Sequence, residues 1–299
     1  SENFISKRIL QYTSIYDDDN FFILTLDSEH FEDNIKGTYL NTIYQYDDFY
    51  NITQIDKIND TGSTSTNIEY FNNNSLSNYY IGRKKKNISI ANIDGESFTT
   101  TTDFVYENDL IKEIQYSGNE TQPNIESYEY DNYGNVTQQT ITPYNEEPRI
   151  FQYEYDNSGR FLKKSINEHG LETLFEYDYT TGLLLSSIDH LGNETSYEYD
   201  EWYRVKKLTD YLGNITTTSY NNLSNSYQTP VYNIVSISDD GSESESIYNH
   251  LGNIVLSKTK DISGDWVKVS YEYDDLGRPF RTSEPYKSEN PSQWNETEY

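Results

Sequence analysis

The sequence predicts an all-β chain built as an array of antiparallel β-hairpins, and three observations predict it. The tetrapeptide Tyr-Glu-Tyr-Asp occurs at Tyr128–Asp131, Tyr153–Asp156, Tyr197–Asp200 and Tyr271–Asp274, with a fifth copy, Phe175–Asp178, that begins on Phe. From Asp178 the turn residues Asp189, Asp200, Asp210 and Asn221 follow in steps of 11, 11, 10 and 11. Short strands joined by tight turns give this spacing, and a recurring unit of two strands and two turns means one motif stacked many times. Third, the chain has 31 tyrosines among 299 residues. An apolar fraction of 34% and a net charge of −28 would otherwise suggest disorder. Tyr supplies a strand-forming ring with a polar tip, so we expect an ordered sheet with a Tyr-rich interior.

In chain order, residues 1–125 are the less regular part. Phe21–Leu26 predicts a buried strand, and the Ser, Thr and Asn content of residues 60–79 predicts loops around a strand at Asn67–Phe71. Residues 98–116 alternate, with Phe104, Tyr106, Ile111, Ile114 and Tyr116 as the apolar set. Residues 126–299 hold the regular repeats. In each copy the two aromatic rings point to one face and the Glu to the other, and neighbouring strands are expected to stack Tyr beside Tyr. The strand-end Asp accepts backbone N–H groups in the turn, and the Gly after it supplies positive φ. The signature residues expected to do this are Tyr130, Asp131, Gly134, Tyr155, Asp156, Gly159, Tyr177, Asp178, Asp189, Gly192, Tyr199, Asp200, Asp210, Gly213, Gly252, Tyr273, Asp274 and Gly277. Gly182 comes one residue late and predicts a longer turn. Tyr50 and Tyr203 stand where the Gly belongs. Positive φ is costly for Tyr, so a different turn is expected at those two places. Residues 222–246 break the period, with a turn signal at Asp239-Asp240-Gly241-Ser242. Trp294–Tyr299 reads as the start of another strand, and position 1 is Ser, so the expectation is a piece of a longer chain.

Composition excludes several function classes. The acidic balance disfavours nucleic acid and anionic surfaces. The one basic run, Arg83–Lys86, reads as a solvated turn or strand end. With no cysteine there are no disulfides or thiolate metal sites, which fits an exported bacterial protein. No apolar stretch is long enough to span a membrane as a helix.

These residues resemble the RHS or YD-repeat family, whose signature is a Tyr-Asp strand end, two variable residues, then Gly-Arg or Gly-Asn. The resemblance is best over 126–299 and includes Asp274-Asp275-Leu276-Gly277-Arg278-Pro279; Tyr79-Tyr80-Ile81-Gly82-Arg83 is similar to a segment of early repeats. It implies a curved section of a β ribbon that spirals into a hollow shell. In bacterial members the shell encloses a C-terminal toxin or effector. The implied location is secreted or at the cell surface, and the implied partners are further repeats and cargo of the parent chain, with secretion machinery or surface glycans beyond them.

No catalytic, cofactor or metal site is expected. His169, His190 and His250 sit at turns, and His30 between Glu29 and Glu32 lacks ligand spacing. Asp17-Asp18-Asp19 lacks the spacing of a calcium loop. The repeated carboxylates are too many for an acid–base pair. The alternative function is adhesion, with exposed Tyr rows stacking on sugars.

Overall fold

The computed structural model describes residues 6–16, 22–75, 79–119, 122–223, 231–274 and 276–297. Every regular element among them is a strand, which bears out the all-β hairpin array. The chain divides into two compact units, one of residues 1–153 with 167–169, the other of 154–166 with 170–299.

The first unit contains β1 (Ser6–Tyr16), β2 (Phe22–Asp33), β3 (Thr38–Tyr46), β4 (Ile52–Asn59), β5 (Gly62–Asn73) and β6 (Tyr80–Ile93). It continues with β7 (Glu96–Glu107), β8 (Leu110–Ser117), β9 (Asn124–Tyr130) and β10 (Val136–Thr142), and reaches most of β11 (Arg149–Tyr155). Each strand pairs antiparallel with the next in sequence from β1 to β11.

The second unit contains β12 (Leu162–Ile166), β13 (Glu172–Tyr177), β14 (Leu184–Ile188), β15 (Glu194–Tyr199), β16 (Val205–Thr209) and β17 (Ile215–Asn222). After them come β18 (Tyr232–Ser238), β19 (Glu243–Tyr248), β20 (Ile254–Lys260), β21 (Trp266–Tyr273), β22 (Pro279–Ser283) and β23 (Trp294–Glu296). These too pair in sequence, antiparallel throughout.

Four local expectations are corrected. The segment expected to be loops around Asn67–Phe71 is mostly the continuous strand β5, because Thr and Ser suit a half-buried pleat paired on both sides. The run from Phe21 (outside the described residues) to Leu26 forms the start of β2, but it is not buried. Strand alternation leaves Phe22 58% and Leu24 54% exposed while the small Thr25 faces inward. The basic run lies inside β6, where cross-strand carboxylates take its charges. Arg83 meets Asp109 at 2.9 Å, Lys85 meets Glu69 at 2.7 Å and Lys86 meets Asp103 at 3.1 Å.

The Tyr-rich interior is the fourth. Among the described residues the one buried hydrophobic side chain is Phe161, and the repeat tyrosines Tyr130, Tyr177, Tyr199 and Tyr273 are half-buried. Register sets these Tyr rings opposite Val136, Leu184, Val205 and Pro279 rather than opposite other tyrosines. Tyr232 and Tyr248 do stack across strands, with centroids 4.6 Å apart and planes 4° apart. Phe161 packs on Tyr177 at 5.1 Å and edge-on to Tyr179 at 5.4 Å. The Asp156 and Asp178 turns, each one residue longer than their neighbours, flank this cluster.

Candidate functional site

The repeated unit of chemistry is the turn. At Asp210 the backbone N–H donates to the Asn214 carbonyl, and Gly213 N–H donates to the Asp210 carbonyl. Carboxylate oxygen Oδ1 accepts the N–H groups of Leu212 and Asn214 at 2.9 and 2.8 Å, and Oδ2 accepts the Asn214 amide at 2.8 Å. One carboxylate thus satisfies the donors that a five-residue turn leaves unpaired. The same bonds recur at Asp131 and Asp189. At Asp200 and Asp274 the following Arg replaces Asn and donates through Nε at 2.7 Å. At Asp178 the late Gly182 widens the turn, whose closing bond runs to Leu183. The Asp156 turn is also wider, closing on Phe161 although its Gly is in the usual place.

These bonds hold the carboxylates below their ordinary range. The Asn side chain is the chief cause at Asp131, Asp189 and Asp210, Arg204 at Asp200, and backbone N–H donation at Asp178 and Asp274. At Asp156 the Ser158 hydroxyl leads, and the pKa falls to about 2.

Tyr50 and Tyr203 do not change the turn. They adopt φ of 64° and 62° and close it as Gly does, donating their N–H to the carbonyls of Asp47 and Asp200 at 3.0 Å. The expectation of a different turn is therefore corrected. The backbone N–H groups that donate to the Asp47 and Asp200 carboxylates hold the backbone in the left-handed region despite the side chain. Three further turns of this type carry no full signature. Asn249 accepts the N–H groups of Leu251 and Asn253 through its amide oxygen. Asp261 with Gly264, and Ser238 with Gly241, make the same closing bonds. The Asp-x-x-Gly spacing of Asp261–Gly264 was the available signal. His190 and His250 occupy the second position of the Asp189 and Asn249 turns, and His169 lies in the turn before β13.

The equal steps in the sequence conceal two kinds of hairpin. In the hairpins that leave Tyr46, Tyr106, Tyr130, Tyr177, Tyr199, Tyr248 and Tyr273, the register slips by one residue beside the Tyr. The hairpins through Asp189, Asp210 and Asp261 have no slip. Each slip is a β-bulge, with one extra residue on the returning strand that no partner residue opposes.

The bulges explain the tyrosines. The carbonyl just before a bulged residue is offset from the ladder, and the Tyr hydroxyl of the next strand supplies its partner. In the first unit Tyr46 donates to Leu26 O at 2.8 Å, Tyr70 to Ile52 O at 2.8 Å, Tyr106 to Lys84 O at 2.9 Å and Tyr130 to Ile111 O at 2.6 Å. In the second, Tyr199 donates to Leu184 O at 2.8 Å, Tyr220 to Val205 O at 3.3 Å and Tyr273 to Ile254 O at 2.9 Å. Leu184, Val205 and Ile254 are themselves the residues opposite Tyr177, Tyr199 and Tyr248, so each hairpin is tied to the next. Burial raises the phenol pKa of Tyr130, Tyr177, Tyr199 and Tyr273.

The Glu between the two rings faces the other way and meets cations. Lys207 reaches Glu198 at 2.9 Å, and Lys164 lies 3.3 Å from Glu154 and 3.0 Å from Glu172. No group of three His, Asp or Glu side chains among the described residues has the arrangement of a metal site.

The RHS Repeat family model matches residues 177–215, which span four of these turns, those of Asp178, Asp189, Asp200 and Asp210. No curated protein matches the chain. Among solved structures, the crystal structure of TcdB2-TccC3-TEV is similar at 12% identity with a TM-score of 0.51, over 94% of this chain and 17% of that one. TcdB2-TccC3 without its hypervariable C-terminal region is similar at 12% identity, with a TM-score of 0.46 over 91% and 18%. The Tc holotoxin pore of Photorhabdus luminescens is similar at 9% identity, with a TM-score of 0.46 over 94% and 18%. This chain therefore spans less than a fifth of each of those chains. The resemblance read from the Tyr-Asp turns is borne out: the chain carries an RHS repeat at residues 177–215 and has the fold of a section of an RHS-type Tc toxin protein.

Proposed function

We propose that this chain is a wall section of an RHS-type β shell that encloses a C-terminal toxin or effector in a large exported bacterial protein. Its role in this reading is structural and not enzymatic. The observation that carries it is surface. Among the described residues only one hydrophobic side chain, Phe161, is buried, where compact domains of this size cover a hydrophobic core of many. A unit whose strands pair in sequence as one sheet, yet which covers so little of its own surface, is suited to be one part of a larger wall. The fold likeness to a Tc toxin protein supports the same reading.

On this proposal the signature Asp, Gly and Tyr residues fix turns and tie successive hairpins. Residues 1–125 are divergent repeats, and 126–299 are regular ones. The partners are further repeats and the cargo of the parent chain, the secretion machinery is a passing contact, and the location is secreted or at the cell surface.

The test is limited proteolysis of the intact parent protein. Containment predicts that the region downstream of the repeats is cut far more slowly in the intact chain than when expressed alone. Equal cleavage rates would refute it.

A further inference from the structure

Tyr248 ends its strand as Tyr199 and Tyr273 do, and its hairpin slips register beside it. Its setting differs in one respect. The pairing of β17 with β18 runs without a slip from Thr216 to Asn222, so no bulge in that ladder frees a carbonyl for the Tyr248 hydroxyl. Its ring lies instead on Tyr232, the residue directly opposite it in the ladder. The centroids are 4.6 Å apart and the planes 4° apart. Opposed residues of neighbouring strands project from the same face, so the two phenol ends lie side by side. Among the described residues one other pair of tyrosines is in ring contact, Tyr128 with Tyr130. These two share a strand, and their rings are 6.4 Å apart and tilted by 33°.

This stack sits in a chain with no Cys and no Met, the two residues whose sulfur takes up oxidising equivalents most readily. One-electron oxidation therefore falls on the 31 tyrosines and three tryptophans. A phenol that loses an electron and its proton becomes a phenoxyl radical. The unpaired electron is shared between the oxygen and the ring carbons ortho to it. Two such radicals join through their ortho carbons when they meet, and a pair already held face to face meets without diffusion.

We propose that Tyr232 and Tyr248 are a site of dityrosine formation, driven by hydrogen peroxide through a haem peroxidase. Each phenol gives up one electron and its O–H proton. One bond forms between the two ortho carbons, and the hydrogens on those carbons move to the oxygens and restore both rings. The pair loses two hydrogen atoms in all, and the peroxide is reduced to two waters. The product is a covalent staple across the β18–β19 hairpin. It goes beyond the wall role and does not rest on it, since a wall section can carry the staple or lack it.

The test treats the whole 299-residue chain with a haem peroxidase and hydrogen peroxide. An equal mixture of isotope-labelled and unlabelled chains separates links within a chain from links between chains. Cleavage before aspartate places Tyr232 in residues 210–238 and Tyr248 in 240–260. The expected result is a joined pair of these peptides, lighter than their sum by two hydrogen atoms, carrying dityrosine fluorescence and a single isotope label. Tyr232→Phe and Tyr248→Phe each keep the ring and remove the phenol, so each should lose the joined peptide. Tyr211→Phe, at an exposed turn tip, should keep it. Oxidation of other tyrosines without this link would overturn the proposal. So would a link that carries mixed labels or that persists in either of the first two variants.

Discussion

Replacing Tyr199 by Phe removes one oxygen and leaves the ring. The lost contact is the 2.8 Å bond to the Leu184 carbonyl, the carbonyl that the bulge at Leu185 displaces from its ladder. A hydrogen bond of this kind contributes about 0.5–1.5 kcal/mol net, and an acceptor left unpaired in a buried place costs about 1–3 kcal/mol. Tyr199 is half-buried, so water reaches part of the vacated site and the expected loss is about 1–1.5 kcal/mol. For a folding unit of this size that is a fall of roughly 2–6 °C in melting temperature. The structure supplies an internal scale. Tyr220 makes the equivalent bond at 3.3 Å and should lose less as Phe. Tyr211, 57% exposed at a turn tip, should change by less than about 0.5 kcal/mol. Urea denaturation followed by circular dichroism gives the ranking. Hydrogen exchange then locates it, with faster exchange in β14 to β16 for Tyr199→Phe. Equal stability of the three variants would refute the idea that the hydroxyls complete the bulges, and would leave the rings as the whole contribution of these tyrosines.

Four further predictions concern the glycines and the titrating groups. Gly192 has φ +81° and open space where a Cβ would sit, so Gly192→Ala should cost only the left-handed strain, about 1 kcal/mol. Gly62→Ala places its Cβ 2.1 Å from the Asn92 carbonyl oxygen and should separate β5 from β6, seen as loss of exchange protection in both. Acid should destabilise the chain late: the folded pKa values of the turn carboxylates lie below the ordinary 3.8. Their contribution is complete above about pH 4 and is lost as pH falls through the folded values, which reach about 2 at Asp156. A pH titration of circular dichroism should therefore be flat down to pH about 4, and an unfolding midpoint above that would contradict the assignment. Alkali acts in the opposite sense. Burial raises the phenols of Tyr130, Tyr199 and Tyr273 above 10.0, so their contribution is complete below pH about 10 and disappears as pH rises through the folded values. Ultraviolet titration should show a late-ionising class of tyrosine that shrinks in the Tyr-to-Phe variants.

How much of this was legible depends on whether a property is local. The Asp turns were, because a carboxylate, its two N–H donors and the residue with positive φ all lie within five consecutive positions, and the same spacing recurs. The late Gly182 announced its longer turn for the same reason. The turns at Tyr50 and Tyr203 were misread because side-chain propensity was weighed alone; a carboxylate that accepts two or three N–H groups outweighs a strain of about 1–2 kcal/mol. Burial was misjudged at Phe22 and Leu24 because apolar residues imply a covered face only when something lies over it.

The bulges were not legible in the spacing of the turns. Asp178, Asp189, Asp200 and Asp210 stand in nearly equal steps, yet the hairpins of Asp178 and Asp200 slip register and those of Asp189 and Asp210 do not. What distinguishes them in the sequence is the residue before the Asp. Tyr177 and Tyr199 precede the slipped pair, and Ile188 and Thr209 precede the others. Only the hydroxyl of a Tyr reaches across to the carbonyl that the preceding bulge has freed, so the residue that ends one hairpin depends on the irregularity of the hairpin before it. The Tyr-Asp pair therefore divides two tasks. The Asp closes its own turn, and the Tyr repairs its neighbour's, which makes the repeat cooperative along the array and not merely periodic.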